Sequence, residues 1–485
     1  MALTLQILLP FFGGFAALLA PRFGPNRERW TTIAVMGATL LVLLVPVLFG
    51  EGGRWLAFYR ADWAPSFGIQ VLLAMDGLSA ALVAVSAGLG MICAFISWHI
   101  THRSALFHAA ICWTVAASNG VFLSFDLLIF AFFWELMIVP AFLLIALWGH
   151  GDREAAAIKF LVFNAVAGLG LLAAVFWMGA TSDPITFDAF ELARADYSET
   201  AQILLLLGFA LAFMVKLPVP PFHAWLPDAH TQAPTAGSIL LAGLLLKTGA
   251  YGLFRFPPLL FADGFAALAP WGMALGAFGV VYGAVLACGQ TDAKRLIAYT
   301  SVAHMSIVLM GVCGGVHFAL MGAGVEMIAH AFSSSALFLL IGALQHRTGT
   351  RDLRALGGLQ KTAPAFATSF ALFFAAALAM PGTANFLGEA LVITGMFQVN
   401  WVFAAIALVS LVVSVVYATR LIGGIVFGEP SPAVQGAHDL YRYELWPIAV
   451  LGLGTLIFGL FPQLLIGVLR EAVESALMPL LFVQP

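Results

Sequence analysis

Apolar runs of about 17 to 25 residues, each long enough to cross a hydrocarbon layer of about 30 Å, recur along the whole chain between short polar or Pro/Gly breaks. They begin near residues 3, 30, 77, 108, 126, 157, 202, 235, 266, 294, 317, 366, 401 and 446, which predicts fourteen membrane-spanning helices. Only helices and closed barrels satisfy backbone polar groups in lipid, and runs this long and continuous are helical. The expected fold is therefore all-α and integral to the membrane. It is a single polytopic unit over residues 1–485, with no linker rich enough in Ser, Pro or charge to divide it. The N-terminus, MALTLQILLPFFGGFAALLAP, has no basic region and no small-residue cleavage site, so it is expected to be the first span and not a removed signal. Two polar stretches stand out. Residues 51–75, EGGRWLAFYRADWAPSFGIQVLLAM, form a long loop whose alternating FGIQVLL suggests a hairpin, and residues 182–199, SDPITFDAFELARADYSE, form an acidic loop.

Two spans carry proline inside their apolar run. The seventh reads MVKLPVPP and the twelfth reads ALAMPGTANFLGEALVI. Paired broken helices point to repeated transporter halves around an ion pathway near the midplane, although two unrelated proline kinks would leave the same pattern. Pro218, Pro220 and Pro221 lack N–H groups, so the carbonyls of Met214, Lys216 and Leu217 are expected to lose their helical partners. Such groups are tolerated in a membrane only inside protein or beside a wet cavity.

Composition agrees with the spans: 62% of residues are hydrophobic and 9% charged, where a soluble domain is about a quarter charged. A net charge of -3 provides no basic field for nucleic acid. Lysine and arginine collect on the cytoplasmic side of membrane proteins. With the N-terminus outside, fourteen of the 21 basic residues fall on the inside, from Arg22, Arg27 and Arg29 through Arg103, Arg153, Lys159, Lys294, Arg295, Arg347, Arg351, Arg354 and Lys361 to Arg420 and Arg442. Arg54, Arg60, Arg194, Arg255 and Arg470 fall outside, which predicts both termini on the outer, periplasmic side. Cys93, Cys112, Cys288 and Cys313 lie in apolar runs with no CxxC or CxxCH spacing, so thiolate ligation of iron–sulfur or haem is not expected.

The chemistry lies in charges placed within the spans, where each costs about 2.5 to 3.5 kcal/mol at a helix centre. Glu135 sits in FAFFWELMIVPAFLLIALW, Lys247 in ILLAGLLLKTGAYGLF and Glu389 in NFLGEALVI. Lys216 lies about 20 Å into the seventh span at a rise of about 1.5 Å per residue. Lysines near helix ends snorkel to the interface, but Lys247 is too deep for that. His304 and His330 occupy the tenth and eleventh spans, with Glu326 one turn before His330. The carboxylates are either structural ion partners or proton carriers, and the histidines either packing residues or relays. Proton transfer along a line suits all of these groups, since each gains or loses one proton. HExxH, Walker A, GxSxG and a strand-following GxGxxG are absent, so nothing points to covalent chemistry on a substrate.

With the blocks APSFGIQVLLAMDGLS, FFWELMIVPAFLLIALWGH, FMVKLPVPPFHAWLPDAHTQAPTAGSILLAGLLLKTGAYGLFRF, QTDAKRLIAYTSVAHMS, RDLRALGGL and MPGTANFLGE, the chain resembles the antiporter-like membrane subunits of NADH-quinone oxidoreductase, respiratory complex I, of the subunit M or chain 4 type. The resemblance runs from near Trp63 to Pro462. It implies a proton-pumping module in a bacterial inner membrane, flanked on both sides by antiporter-like neighbours and surrounded by lipid. It also implies two inverted five-helix repeats, helices 4 to 8 and 9 to 13, with helices 7 and 12 broken. The corresponding segments are 1–107 for the first three spans and outside loop, 108–256 and 260–428 for the repeats, and 429–485 for the last span and C-terminus. By the same resemblance, Glu135 of the WE motif pairs with Lys216, Lys247 links the halves, His304 and His330 relay, and Glu389 ends the path. FMN, iron–sulfur clusters, NADH and quinone belong to the complex, with no cofactor or metal in this chain.

The distal relative of the same complex adds spans and a long lateral helix, for which no room is left after Pro462. The smaller paralogue and the sodium/proton antiporter chains typically carry lysine where Glu389 stands. Glu326 departs from the neutral residue of many relatives, and either adds a proton site or pairs locally. The leading expectation is a pump unit in which separation of Glu135 from Lys216 sends a proton through Lys247 and the histidines to Glu389. The alternative is a subunit of a cation/proton antiporter, or of a related ion-pumping complex, without quinone chemistry.

Overall fold

The computed structural model describes residues 1–50 and 53–482. Glu51 and Gly52, the first positions of the expected 51–75 loop, and Val483, Gln484 and Pro485, the last of the expected 429–485 segment, lie outside the described residues. The chain opens with α1 (Ala2–Leu19) and α2 (Arg27–Phe49), then a hairpin of β1 (Ala57–Ala64) and β2 (Ile69–Met75). There follow α3 (Gly77–Ile96), α4 (Ser104–Leu123), α5 (Leu127–Leu136), α6 (Ile138–Trp148), α7 (Arg153–Thr181) and a short α8 (Ala189–Leu192). Next come α9 (Glu199–Lys216), α10 (Trp225–Gln232), α11 (Thr235–Leu240), α12 (Leu246–Leu260), α13 (Ala262–Cys288), α14 (Ala293–Gly314) and α15 (His317–Thr348). The chain continues through a short α16 (Leu359–Thr362), α17 (Pro364–Ala377), α18 (Ala384–Val399), α19 (Trp401–Ile425), α20 (Arg442–Leu460) and α21 (Pro462–Leu477).

Among the described residues, thirteen helical segments are long and apolar enough to cross a membrane, with α5–α6 and α11–α12 each forming one segment. The predicted twelfth span is missing from that set because it is split into α17 and α18, of 14 and 16 residues. The predicted break in the seventh span is also present, between α9 and α10. Two irregularities were not expected. The fifth span is interrupted at Met137, between α5 and α6, and a π-helical turn at Leu241–Leu245 separates α11 from α12. The helix α21 was not expected either; it packs against α3 and α15 beyond the last predicted span.

Helices divide by what they face. α2, α7 and α19 carry exposed apolar stripes at helical spacing, such as Ile158, Val162, Val166 and Leu169, or Val409, Val412 and Val416. These are the surfaces lipid or a neighbouring membrane subunit covers. By contrast α4, α11–α12, α14 and α15 are buried almost all round, and polar residues such as Asn119, Lys247, His304 and His330 lie within them.

A carboxylate device occurs twice. Asp126 accepts the Leu128 and Ile129 N–H groups, both at 3.0 Å, at the start of α5, and forms a backbone bridge with Asp188, which caps α8. Asp292 accepts the Arg295 N–H at 3.0 Å at the start of α14 and bridges Asp352. Each stitches the helix that begins one turn to a loop preceding a broken span. The hairpin, in register from Ala57↔Met75 to Asp62↔Gln70, sits beside the first device, where the Gln70 N–H donates to Asp126 at 2.9 Å.

Asp76 caps α3 by accepting the Ser79 N–H at 2.9 Å, and its other oxygen accepts Arg255 Nη2 at 2.5 Å. Both side chains are buried, and the guanidinium lies over the rings of Tyr251 and Phe125. Removing one partner of such a pair leaves an uncompensated buried charge, at a cost of about 3 to 5 kcal/mol. Asp76→Ala is therefore expected to lower the thermal unfolding midpoint of the detergent-purified protein and its recovery from membranes. An unchanged midpoint would show that the pair does not hold α3 to α12.

Candidate functional site

The ionisable groups lie in two clusters at the irregular points of the helices. In the first, α9 ends at Lys216 because the prolines that follow cannot donate backbone hydrogen bonds. The carbonyls near the break are not all free, as the sequence had suggested. Met214 O accepts the Val219 N–H at 3.0 Å, and Val215 O accepts the Trp225 indole N–H at 2.9 Å, so a backbone donor five residues on and a side chain replace part of the helical ladder.

Lys216 is 1% exposed. Its ammonium donates to Trp134 O at 2.9 Å and lies 3.7 Å from the centre of the Trp134 ring. The expected pair with Glu135 is not closed: among the described residues no ion pair within 4.0 Å joins the two. The carboxylate instead turns toward α7 at Gly168, where any Cβ would collide with Glu135 Oε1, and that oxygen has no hydrogen-bond partner. Glu135 is half-buried between the exposed Phe132 and Val139, on the outer face of α5. The physical cause of the separation is local. The ammonium takes the carbonyl and ring face of the residue preceding Glu135, which together provide a hydrogen bond and a cation–π contact.

The second cluster spans four helices. Lys247 is fully buried just past the π-helical turn, whose wider winding leaves Ala242 O accessible, and Nζ donates to it at 2.6 Å. The same nitrogen lies 2.6 Å from His330 Nδ1 on α15. The His330 ring centre is 5.4 Å from that of His304 on α14. His304 Nδ1 in turn lies 2.9 Å from Glu389 Oε1 and 3.4 Å from Glu326 Oε1. Glu389 reaches this point because α18 restarts after the Pro381 break with Thr383 accepting the Phe386 N–H, which places Asn385 and Glu389 on one face four residues apart.

Of the six residues singled out from the sequence, the structure thus brings Lys247, His330, His304 and Glu389 into one line. Lys216 and Glu135 are not joined, since Lys216 rests on Trp134 of α5 and Glu135 turns toward α7. The donor atoms of His304, Glu326 and Glu389 lie within 4.8 Å of one another, a spacing a divalent cation could bridge as well as protons. The cysteines, all unpaired thiols, take no part in either cluster.

Sequence reading missed two residues. His230 on α10 is completely buried, stacked on Phe338 with ring centres 4.5 Å apart, and neither ring nitrogen has a partner. Lys294, counted from the sequence among the helix-end charges, is 1% exposed and donates to Ala233 O at 2.8 Å, three residues past His230. The available signal was the position of His230 on the broken seventh span, since a polar group in such a segment faces protein and not lipid.

A family profile described as "NADH:quinone oxidoreductase/Mrp antiporter, TM" matches residues 124–414. The chain is 42% identical to "NADH-quinone oxidoreductase subunit M" of Pseudomonas aeruginosa, over 96% of this chain and 95% of that protein. To the protein of the same name from Escherichia coli K12 it is 41% identical, over 98% of this chain and 97% of that one. A chain of "Respiratory complex I from Thermus thermophilus with bound NADH" superimposes with a TM-score of 0.91 at 31% identity, covering 99% of this chain and all of that one. A chain of the Mrp complex from Dietzia sp. shares the fold, with a TM-score of 0.88 at 24% identity over 99% of this chain and 97% of that one.

Proposed function

The chain belongs to the NADH:quinone oxidoreductase/Mrp antiporter family, in its subunit M group, and from that membership we propose that redox work elsewhere in the complex drives a proton from the Lys216 cluster through Lys247, His330 and His304 to Glu389. It is an antiporter-like, proton-translocating, multi-pass membrane subunit of a multisubunit complex. The observation that carries the proposed route is the line of contacts from Lys247 to Glu389 through two imidazoles, inside helices otherwise packed with apolar side chains.

The work required sets the scale. Moving one charge against 100 mV costs about 2.3 kcal/mol. Two unit charges 4 Å apart interact by about 4 kcal/mol at an effective dielectric of 20. Opening or closing a single Glu135–Lys216 contact is therefore large enough to drive one transfer. In this reading the position on Trp134 O is the open state of that switch, and contact with Glu135 is the closed state. When Glu135 turns away, the Lys216 ammonium loses its anionic neighbour and its proton is released toward Lys247 on the adjoining α12. Lys247 passes it to His330 Nδ1, which accepts it directly. His304 then delivers it to Glu389, beside the break that opens the second half.

Further parts of the reading rest on the fold. The pair α17 and α18 counts as the fourteenth passage. The two Asp bridges, one opening α5 and the other α14, support inverted repeats over helices 4 to 8 and 9 to 13, because corresponding turns then lie on opposite membrane sides. Both termini are placed on the periplasmic side of a bacterial inner membrane, which the distribution of basic residues favours. The flavin, iron–sulfur clusters and quinone are assigned to partner subunits, and this chain's part is to move protons. The 24% likeness to an Mrp complex is one of fold, so the antiporter alternative gains no specific support from it.

Lys247→Ala is expected to abolish proton pumping and lower NADH:quinone turnover at least tenfold while leaving the complex assembled, measured as protons released per NADH oxidised in proteoliposomes. A normal ratio would sink the line. Lys216→Arg is expected to impair pumping similarly, because a guanidinium does not give up its proton at usable pH. Retained pumping in that variant would mean that Lys216 acts only as a fixed charge. Gly168→Ala is expected to displace the Glu135 carboxylate and reduce turnover several-fold. Wild-type turnover there would separate Glu135 from the switch.

A further inference from the structure

Glu326 stands outside the line read from the sequence, yet it is completely buried within the second cluster. It lies on α15 one turn before His330 and turns toward α14 and α18. Its Oε1 is 3.4 Å from His304 Nδ1 and accepts Asn385 Nδ2 at 3.1 Å. Glu389 Oε1 lies 2.9 Å from the same imidazole nitrogen. The second oxygens of both carboxylates, and Asn385 Oδ1, are buried without partners. Helix α18 leaves room for this arrangement at Gly388, where a Cβ would stand 2.7 Å from Glu326 Oε2.

Two carboxylates whose oxygens fall within 4.8 Å of each other and of one imidazole cannot be balanced by that imidazole alone. One imidazolium offsets one negative charge, and the second carboxylate must carry a proton. The other polar groups facing the cluster are Lys247 from α12, His330 from α15 itself, Asn385 from α18 and the buried Tyr417 from α19, and among the described residues none of them makes an ion pair with Glu326. Both carboxylates lie nearest the same nitrogen, Nδ1, which is therefore the atom through which a proton passes from Glu326 to Glu389.

We propose that Glu326 is a second proton-carrying residue at the Glu389 end of the line, so that this end stores one proton more than Glu389 and His304 would hold alone. The inference rests on the route proposed above. Each transfer is a plain proton exchange: a carboxylic acid and an imidazole become a carboxylate and an imidazolium, and the imidazolium then protonates the Glu389 carboxylate. No electrons move and no co-reactant is needed.

The test is Glu326→Gln in the whole complex, reconstituted in proteoliposomes. Glutamine keeps the volume and an oxygen to accept Asn385 Nδ2, and it removes only the ability to ionise. A bracing role would therefore survive it. The expected result is an assembled complex with turnover reduced at least threefold and fewer protons released per NADH. Glu326→Asp should restore part of the loss, and Glu326→Gln combined with Glu389→Gln should be no worse than Glu389→Gln alone. Wild-type turnover and proton count in Glu326→Gln would overturn the proposal. If that variant fails to assemble, Asn385→Leu decides, since it releases Glu326 Oε1 and is expected to lower the proton count; an unchanged count overturns the proposal. Failure of the underlying route looks different, because Lys247→Ala and Glu389→Gln would then be silent too.

Discussion

A charge in a medium of low dielectric must be matched by a partner, a dipole or a proton, and most of this molecule's polar architecture follows from that requirement. Arg255 is matched by Asp76, whose carboxylate also caps α3. Lys216 is matched by a carbonyl and an indole face, and Lys247 by a carbonyl and an imidazole nitrogen. These differ in kind. The Arg255 pair joins two fixed opposite charges and holds helices together, whereas the lysines rest on neutral acceptors that bind an ammonium without trapping its proton.

The same requirement explains where the backbone departs from regular helix. Glu135 precedes the interruption at Met137, Lys216 ends α9, Lys247 follows a π-helical turn and Glu389 follows the break at Pro381. Irregular backbone at membrane depth persists only where protein or a polar cavity surrounds it. Carbonyls released by such breaks are the dipoles available to a buried cation, and Ala242 O serves Lys247 in this way. At the seventh-span break the outcome is mixed, since Met214 O and Val215 O are taken up by Val219 and Trp225. The cradle of Lys216 therefore comes from α5, through Trp134, and not from its own broken helix.

Packing order follows from the same division of labour. Helices with exposed Leu, Ile and Val stripes enclose α4, α12, α14 and α15, which hold Lys247, His304, Glu326 and His330, while Lys216 on α9 and Glu389 on α18 are buried where those helices meet the enclosed set. Glu135 is the exception, half-buried on an outer face between Phe132 and Val139. A carboxylate in that position lies near the surface that lipid or a neighbouring subunit covers.

The order of the apolar spans, the breaks at Pro218 and Pro381, and the burial of Lys216, Lys247 and Glu389 were legible in the sequence, whereas the count of fourteen was not matched by the thirteen long apolar segments among the described residues. Hydrophobic run length, missing proline donors and helical rise are properties of local sequence. The hairpin at 57–75 was legible for the same reason, through its period of two. Partnership was not, because it depends on side chains brought together across helices far apart in the chain. Only the tertiary structure set Lys216 on Trp134 instead of Glu135, added Glu326 to the His304 and Glu389 group, and buried His230 and Lys294. Spacing along one helix limits which face a residue occupies, but the angles and contacts of the packed helices decide what that face meets.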